Sequence, residues 1–524
     1  MTSGGSRSFA FLARAFASIV LAFSLSACSG SGLRAPDAAQ AATDAAASEV
    51  PALDLAAGVV LGTDAVDAPA LVLDARKVDA TQIDSGAVDV VTKVYPQTCD
   101  DIGTEPVIPP AYATVRATKV VARGDATADS DESALDTSLI QSAIDACPAG
   151  QSVRLIPDGE KNAFLIGTVQ LKSGVTVWID AGVTVYASRN PRNFDAKSGS
   201  GLCGTDTSNS ACSGVFNITG KNDTGLMGAG TVDGQGGMPV LGGTSTWWQL
   251  NTAASGGLAA PRLVSANMGN GLTIQGLRFQ NSGKFHLVPS GIRGFTIWGI
   301  TIITDPNSPN TDGVDPDGST DGVIAYCTIS TGDDNIAIKG DGPMVVDNLV
   351  IAHNHFGKGH GMSIGSETNI GVKNVKVCDL SLDGTKYGIR IKSDVSRGGL
   401  VQGISYTGVC MRNVSQPLVF NPFYTSGATG TLIPDFRDVM LTNVHVLGGG
   451  ALRLSGYDAS HPLTLAMDNV VFDTLPTLNA SNAAITLGPN PVSILPTGTG
   501  VTVSDQITSA AAALDCSNAW VPFN

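Results

Sequence analysis

The feature that most constrains the fold is a strand pattern that recurs seven times between residues 271 and 446. Each copy has about nine residues rich in Val, Ile and Leu, and successive copies start 23, 28, 26, 26, 29 and 35 residues apart. A repeat of this length, built from strands and tight turns, is typical of a parallel β-helix, in which each coil rests on the one before. The leucine-rich repeat is the alternative, but its Leu-x-x-Leu-x-Leu pattern is absent and no helix fits each unit. We therefore predict an all-β solenoid with few helices.

One helix is predicted ahead of the repeats, over residues 136–147. Its N-cap would be Asp136 or Thr137. Spacing of three and four residues places a set of apolar side chains on one helical face: Leu139, Ile140, Ala143 and Ile144. Because solenoids need covers that protect the ends of their core, we expect this helix to cap the N-terminal end of the array.

The first 27 residues have the features of an export signal. Two arginines precede an apolar stretch, residues 15–25, that is too short to span a bilayer comfortably. Residues 25–28 are similar to a bacterial lipobox, in which Cys28 becomes the lipidated N-terminus; simple cleavage is the alternative. We expect an exported, extracellular protein or an outer-membrane lipoprotein, with a lipid on Cys28 as its one membrane contact.

Residues 28–95 are rich in Ala, Asp and Val and show no sustained period, so we interpret them as a tether or a small module without an assigned fold. The solenoid domain then spans residues 96–524. The formal net charge of −15 argues against nucleic acid as a partner, because no basic field attracts phosphates. An acidic polysaccharide would need a local cationic patch, which Arg390 and Lys392 could supply. We expect a monomer.

Eight cysteines follow Cys28. Cys203 and Cys212 flank a short loop rich in Gly, Ser and Asn, so they are the best predicted disulfide. Three further cysteines lie inside apolar strands and are predicted to be reduced and buried: Cys327, Cys378 and Cys410. No Cys-x-x-Cys or His-x-x-x-His spacing indicates a metal, and we predict neither a metal nor another cofactor.

Four short polar clusters interrupt the apolar repeats, at residues 310–312, 332–334, 359–361 and 390–392. Each follows its strand by 11 to 18 residues, and neighbouring strands lie about 4.8 Å apart. A single cluster would be interpreted as a turn or as solvated charge. Four clusters at similar offsets predict one site on one surface, formed by Asp312, Asp333, Asp334, His360, Arg390 and Lys392.

This set of residues has a definite chemistry. Neighbouring carboxylates raise one another's pKa, so one of the three should retain a proton at mildly acidic pH. A protonated carboxyl beside an ionised one can cleave a glycosidic bond, because the first protonates the leaving oxygen while the second activates water. The two cations would pair with sugar carboxylates and select a uronic-acid polymer.

Other polar residues nearby are assigned structural roles. His353 and His355 lie on a strand and are interpreted as structural. Asp315, Asp317 and Asp321 are interpreted as turn acids, of which Asp315 is the one that could touch substrate.

The segments NTDGVDP (310–316), STGDDNIAIK (330–339), GHGMSIGSE (359–367) and GIRIKSD (388–394) resemble, in order, the four signature motifs of the polygalacturonases, family 28 glycoside hydrolases. The resemblance is nearest to the bacterial endo-acting branch. It implies a right-handed parallel β-helix of the pectin-lyase-like type. It also implies metal-free hydrolysis of the α-1,4 linkages of polygalacturonate or pectin, with inversion. Coil spacing alone would favour the shorter carboxylate separation of retaining enzymes, so inversion comes from the resemblance.

By motif position, the resemblance makes Asp333 the general acid. Asp312 and Asp334 would hold and activate the water, and His360 would tune the protonation of the acid. Four residues would contact the substrate: Arg390, Lys392, Asn310 and Tyr424. Residues 109–117 lack a cysteine that relatives often have there, so the resemblance leaves Cys147 paired with Cys99 or with nothing.

Several other functions fit the same fold. An exo-polygalacturonase, or a rhamnogalacturonan or xylogalacturonan hydrolase, would use the same scaffold. A calcium-dependent pectate lyase shares the β-helix but yields unsaturated ends. From a different class, a β-helical adhesin would bind glycans without cutting them.

Overall fold

The computed structural model describes residues 99–120 and 129–523, which belong to one compact unit, Asp89–Asn524. The predicted export signal, the predicted tether and Cys28 lie outside the described residues. In the part of the chain that the structure describes, none of the helices has the length and apolar character needed to span a bilayer.

Nearly all regular structure is β-strand. The first nine strands are β1 (Ala111–Arg116), β2 (Gln151–Ile156), β3 (Ala163–Ile166), β4 (Val169–Gln170), β5 (Val175–Ile179), β6 (Thr184–Ala187), β7 (Phe216–Thr219), β8 (Gly225–Gly228) and β9 (Thr231–Asp233). The next nine are β10 (Val264–Gln275), β11 (Arg278–Gln280), β12 (Leu287–Trp298), β13 (Thr301–Ile303), β14 (Thr320–Ala325), β15 (Thr328–Ser330), β16 (Ile336–Ile338), β17 (Asp347–Phe356) and β18 (Met362–Ile364). The last nine are β19 (Val372–Asp383), β20 (Tyr387–Lys392), β21 (Leu400–Arg412), β22 (Gln416–Asn421), β23 (Asp435–Leu447), β24 (Ala451–Ser455), β25 (Leu463–Phe472), β26 (Thr477–Leu487) and β27 (Gly498–Asp505).

The strands stack in parallel as three long sheets, so the chain is a right-handed parallel β-helix, as predicted. The first sheet runs through β4, β7, the starts of β10 and β12, then β16, β18, β20, β22 and β24. The second runs from β1, β2, β5 and β8 through β14 to β23 and β25. The third begins with β3, β6, β9, β11, β13 and β15 and continues in the ends of the long strands.

The core lies inside the coils and is built from ladders of equivalent residues. In the first sheet one ladder of fully buried side chains comprises Leu287, Val314, Ile336, Met362, Ile389 and Leu418. Strand residues alternate between the two faces of a sheet, so the residue that follows each ladder member points outward, as with the register partners Ser363 and Arg390. These outward residues, together with residues of the turns that precede the strands, form the site described below.

Two α-helices accompany the strands, α1 (Thr137–Ala146) and α2 (Trp247–Ala253). The predicted capping helix is confirmed as α1, which packs on β1 and β4. Ile140 and Ile144 are fully buried there, but the predicted inward position of Leu139 is wrong, since it is 46% exposed. Asp136 occupies the N-cap position, yet its carboxylate accepts from Leu165 N and Thr118 Oγ1 instead of from the helix.

The cysteines fall into three disulfides and two free thiols among the described residues. The Cys203–Cys212 bond is confirmed, and Cys327 is a buried free thiol as predicted. Cys147 is also free and buried. Of the two outcomes left open for it, pairing with Cys99 is therefore the wrong one.

The prediction that Cys378 and Cys410 are reduced is wrong: Cys378 bonds to Cys99, and Cys410 bonds to Cys516. Both lie on outward faces of their strands, where terminal segments of the chain cross the coils and bring the partner cysteines. An apolar strand sequence indicated burial correctly, but it did not show which face each cysteine occupied or what covered that face.

Candidate active site

The register of the first sheet brings the four predicted polar clusters together. Leu287, Val314, Ile336, Met362 and Ile389 are aligned in successive coils. The residues two positions before them form a second alignment, which we call the site row: Phe285, Asp312, Asp334, His360 and Tyr387. Because neighbouring coils are about 4.8 Å apart, residues 102 positions apart in the chain share one short stretch of surface.

Asp334 is the most heavily paired carboxylate of the site. Arg390 Nη2 and Ser363 Oγ donate to its Oδ1, the latter over 2.9 Å, and Lys392 Nζ donates to its Oδ2 over 2.9 Å. Burial alone would raise its pKa, but the cations Arg390 and Lys392 hold that pKa well below the ordinary range. Asp334 therefore stays ionised, and it is the fixed negative centre of the site.

Asp333 is paired with the imidazole of His360. Its Oδ1 lies 2.9 Å from His360 Nδ1 and accepts from the backbone N–H of Asp334 at 2.9 Å. A second bond, from His360 N to the carbonyl oxygen of Asp333 at 2.8 Å, fixes the two turns against each other. Burial alone would raise the pKa of Asp333. The hydrogen bond from His360 and the positive charges of His360 and Lys392 have the larger effect, so the pKa of Asp333 in the free enzyme is lowered.

Asp312 and Asp315 form the opposite electrostatic environment. Both are almost fully buried, and Oδ1 of Asp312 and both carboxylate oxygens of Asp315 have no hydrogen-bond partner. Burial, followed by repulsion from Asp315 and Asp333, raises the pKa of Asp312 well above its ordinary value. Burial likewise raises the pKa of Asp315 to about 7. The expected retained proton is therefore located on these two carboxyls.

The interpretation of Asp315 as a turn acid is wrong. It lies between Val314 and Asp317, which both form bridges to neighbouring coils, donates its N–H to Leu287 O, and is close enough to Asp312 to repel its charge. Asp317 also lies on this strand segment, opposite Lys339, and accepts from Ser290 Oγ. Asp321 lies within β14 and not in a turn, although its backbone is left-handed (φ 57°), and its carboxylate accepts from Asn348 Nδ2.

Glycines and one asparagine shape the turns that carry the acids. Gly361 has φ +74°, and a Cβ there would lie 2.2 Å from the carbonyl oxygen of Tyr387. Only glycine permits that approach, so it fixes how the His360 turn sits on the next coil. Buried Asn335 donates to Ile329 O and Lys358 O and accepts from Gly361 N at 2.8 Å. The turns holding Asp334 and His360 are therefore linked from inside.

The remaining predicted site residues lie at the edges of this cluster. Tyr424 is 43% exposed, and Lys392 Nζ lies 5.0 Å from the centre of its ring, so it borders the site as expected. Asn310 has a left-handed backbone (φ 52°), and its side-chain oxygen accepts from Asn251 Nδ2 at 3.1 Å. The Asn310 side chain is thus held by α2, and its contact with substrate stays a prediction. His353 and His355 lie on the second and third sheets and bond to Asp379 and Ser381.

Several residues of the site were not predicted from sequence. Ser363 joins Asp334 to Arg390, whose Nε donates to its hydroxyl over 2.9 Å. Tyr387 supports both Arg390, 4.0 Å above its ring, and His360, which meets it edge-on at 5.5 Å. Lys339 lies 3.5 Å from Glu367. Strand alternation within the segments 359–367 and 388–394 could have indicated Ser363 as the outward neighbour of Arg390, since the two are register partners.

Asp333, Asp334 and His360 have ligand atoms within 4.8 Å of one another, so they are the obvious place to test for a metal. Both oxygens of Asp334 already accept from cationic side chains. The positive charge of Arg390 and Lys392 beside that space opposes a divalent cation. The donor set fits proton transfer and carboxylate binding better than metal binding.

Comparison with known proteins agrees with this geometry. Residues 151–484 match the family described as glycosyl hydrolases family 28. A polygalacturonase of Ralstonia solanacearum is 43% identical over 454 residues, 74% of this chain and 85% of its own length. An endo-polygalacturonase of Pectobacterium carotovorum subsp. carotovorum is 39% identical over 359 residues, 68% of this chain and 88% of its own length.

Among solved structures, a polygalacturonase from Erwinia carotovora ssp. carotovora superposes with a TM-score of 0.67 at 36% identity. That match covers 74% of this chain and all of the other. The predicted resemblance is therefore confirmed on three grounds: a family match over more than half of the chain, close relatives covered over most of their length, and a shared fold. The chain belongs to glycosyl hydrolases family 28 and is a glycoside hydrolase of the polygalacturonase type.

Proposed function

We propose that this enzyme hydrolyses α-1,4-galacturonosyl linkages within polygalacturonate or pectin, by acid/base catalysis with inversion and with endo action. The observation that carries the proposal is the joint geometry of Asp333 with His360 and of Asp334 with Arg390 and Lys392. The first pair can deliver a proton, and the cations can bind a uronic-acid carboxylate. Endo action and inversion are supported by the names of the bacterial relatives and by the family.

Asp333 acts as the general acid. Its pKa is low in the free enzyme because His360 and Lys392 stabilise its anion. A galacturonate carboxylate that pairs with Lys392 adds a negative charge and neutralises one of these cations. Both effects raise the pKa of Asp333. Substrate binding therefore promotes the protonated form that catalysis requires, and the proton moves from Asp333 to the glycosidic oxygen as its bond to the anomeric carbon breaks.

The two other acids divide the work on the water. Asp334 remains ionised by its pairing with Arg390 and Lys392, so it is a poor proton acceptor and serves to orient the water. Asp312 has a raised pKa and an unpartnered oxygen, so in its ionised form, with Asp315 holding the retained proton, it is the better base. The water oxygen bonds to the anomeric carbon, and its proton passes to Asp312. The cycle closes when that proton leaves Asp312 and Asp333 takes up another from solvent.

Four contacts fit recognition of an acidic polymer. Arg390 and Lys392 are buried among their partners yet border the exposed ring of Tyr424. A sugar carboxylate at this edge would meet both cations, and a sugar face could pack on Tyr424. Asn310 is the fourth proposed contact, from the turn before Asp312.

We also propose that the chain is exported and acts outside the cell as a monomer. Three disulfides among the described residues fit an oxidising compartment. Lipidation of Cys28 as an outer-membrane lipoprotein is the form of export that the lipobox-like segment supports best. Labelling with a lipid precursor and cell fractionation would test it, since the lipoprotein form requires label on wild type and none on Cys28→Ser.

Reducing-end release from polygalacturonate tests the activity, and viscosity tests its mode. Endo action requires viscosity to fall well before many reducing ends accumulate, whereas exo action reverses that order. New absorbance in the ultraviolet with dependence on calcium would indicate a lyase. Binding without any cleavage would indicate an adhesin.

A further inference from the structure

A second group of cations lies in the first sheet, away from Arg390 and Lys392. Arg262, Lys284 and Lys339 surround the ring of Phe285, with their charged groups 5.4, 5.4 and 5.9 Å from its centre. The three cations repel one another, and within residues 99–120 and 129–523 only Lys339 has an ion pair, with Glu367 at 3.5 Å. None of these three cations was among the residues expected to bind substrate.

The position of the group relates it directly to the acids. Phe285 is the member of the site row next to Asp312, and Tyr387 is the member at the far end, beyond His360. Arg390 covers the ring of Tyr387. The row therefore has a cation and an aromatic ring at each end, with the carboxylates between them. A polymer lying along this row would pass one such group on each side of the bond that is cut.

The donors of this second group are only partly used. Arg262 is partly exposed and makes no ion pair with any acid in the described ranges 99–120 and 129–523; its charge is balanced only at longer range by Asp315, Asp317 and Asp312. Lys284 is 5% exposed, and its Nζ donates to Asn209 Oδ1 over 2.9 Å and to Leu258 O over 3.1 Å. An ammonium has three donors, so one remains. Burial and the adjacent Arg262 lower the pKa of Lys284 to about 8.

We propose that Arg262, Lys284 and Lys339 around Phe285 form a second carboxylate-binding subsite for the polymer, at the Phe285 end of the site row. The inference rests on the proposed function, in which every sugar of the substrate carries a carboxylate. The guanidinium and the two ammonium groups would bind one such carboxylate, and the ring of Phe285 would contact the apolar face of a sugar. The subsite makes a run of unesterified galacturonates, on both sides of the cut, the preferred substrate.

The test compares Arg262→Gln with Arg293→Gln, an exposed arginine on the second sheet. KM and kcat are measured on oligogalacturonate at low and at high salt. We expect Arg262→Gln to raise KM about tenfold at low salt and leave kcat within about twofold, because it removes an interaction made equally before and during the reaction. The KM difference should shrink at high salt, since a partly exposed charge pair is screened. Arg262→Lys should recover part of the loss, and Arg293→Gln should match wild type.

If Arg262 had a purely structural role, the rise in KM would be the same at low and high salt, and Arg262→Lys would not reverse it. This result would overturn the inference. An unchanged KM would overturn it as well. If the wild-type protein releases no reducing ends, the proposed function fails. The subsite is then still tested by measuring the oligogalacturonate affinity of the same three variants. Arg262→Gln must lose affinity at low salt, Arg262→Lys must lose less, and Arg293→Gln must match wild type. Phe285→Leu, which keeps an apolar side chain, should weaken the same affinity, and circular dichroism confirms that each variant folds.

Discussion

Lys392 donates from Nζ to Oδ2 of Asp334 over 2.9 Å, although 58 residues separate the two in the chain. The contact crosses two coils, from the strand that carries Lys392 back to the turn before β16. With Arg390 on the other oxygen, it holds the pKa of this carboxylate well below its ordinary value. A cation predicted only to bind substrate therefore also sets the protonation of a proposed catalytic residue.

Lys392→Ala should weaken oligogalacturonate binding and also destabilise the fold. The side chains of Lys392 and Asp334 are 6% and 1% exposed, so removing one partner leaves a buried charge with fewer donors. Such changes cost about 3 kcal/mol. Thermal unfolding and oligogalacturonate affinity at low salt are the measurements, with exposed Lys197→Ala as the control. Affinity equal to wild type would contradict the assignment of Lys392 to substrate.

Asp315→Asn should flatten the dependence of stability on pH. The folded protein keeps the Asp315 proton up to about pH 7, whereas the unfolded chain releases it near 3.8. This carboxyl therefore adds stability that is complete below pH 3.8 and is lost as the pH rises through 7. The raised pKa corresponds to at most roughly 4 kcal/mol. The melting temperature of wild type should therefore fall relative to that of the variant as the pH rises from 4 to 8. A difference in melting temperature that stays constant across that range would contradict a buried, unpaired Asp315 carboxyl.

His360→Asn should move the basic limb of the pH profile of kcat/KM upward. His360 lowers the pKa of Asp333 in the free enzyme, so its loss raises that pKa. A general acid works only when protonated, and the activity of the variant should persist to higher pH, at a rate reduced about tenfold. His461→Asn is the control, because this half-buried histidine also pairs with an aspartate, Asp458, but lies outside the site row. A limb that stays in place would show that His360 does not tune this acid.

Loss of the Cys410–Cys516 bond should cost more stability than loss of the Cys203–Cys212 bond. The first spans 106 residues and the second spans 9. Loop-closure entropy gives roughly 5 and roughly 3 kcal/mol for these separations. Paired alanine variants of each bond, compared by thermal unfolding, test the order. Equal losses of melting temperature for the two bonds would contradict this order. Peptide mapping after alkylation should identify Cys147 and Cys327 as the free thiols.

Most of the site was predictable from sequence because it depends on registry. Strands of similar length separated by similar intervals must stack, so acids at similar offsets must meet; the alignment of Asp312, Asp334 and His360 follows from this alone. The order of the clusters along the axis was likewise predictable. The pairing of Arg390 and Lys392 with Asp334 was not, because side chains that reach back across two coils are set by packing and not by offset.

The remaining differences have a common physical cause, which is the choice of sheet face. Asp315 was interpreted as a turn acid, yet it lies between Val314 and Asp317, each of which bridges to both neighbouring coils. Cys378 and Cys410 lie on outward faces that distant segments cover, and nothing near them in the sequence identifies those segments. The local sequence pattern indicated the strands. The disulfides, however, join residues 279 positions apart (Cys99 and Cys378) and 106 positions apart (Cys410 and Cys516), and local pattern does not show such contacts.

The central claim is that Asp333 protonates the glycosidic oxygen in a galacturonan-cleaving site. The most direct measurement is reducing-end release from polygalacturonate by Asp333→Asn, beside wild type and the exposed control Asp505→Asn. The account predicts a loss of at least roughly 100-fold in kcat for Asp333→Asn, with normal folding and retained oligogalacturonate binding, and wild-type rates for the control. Turnover by Asp333→Asn equal to that of wild type would contradict it.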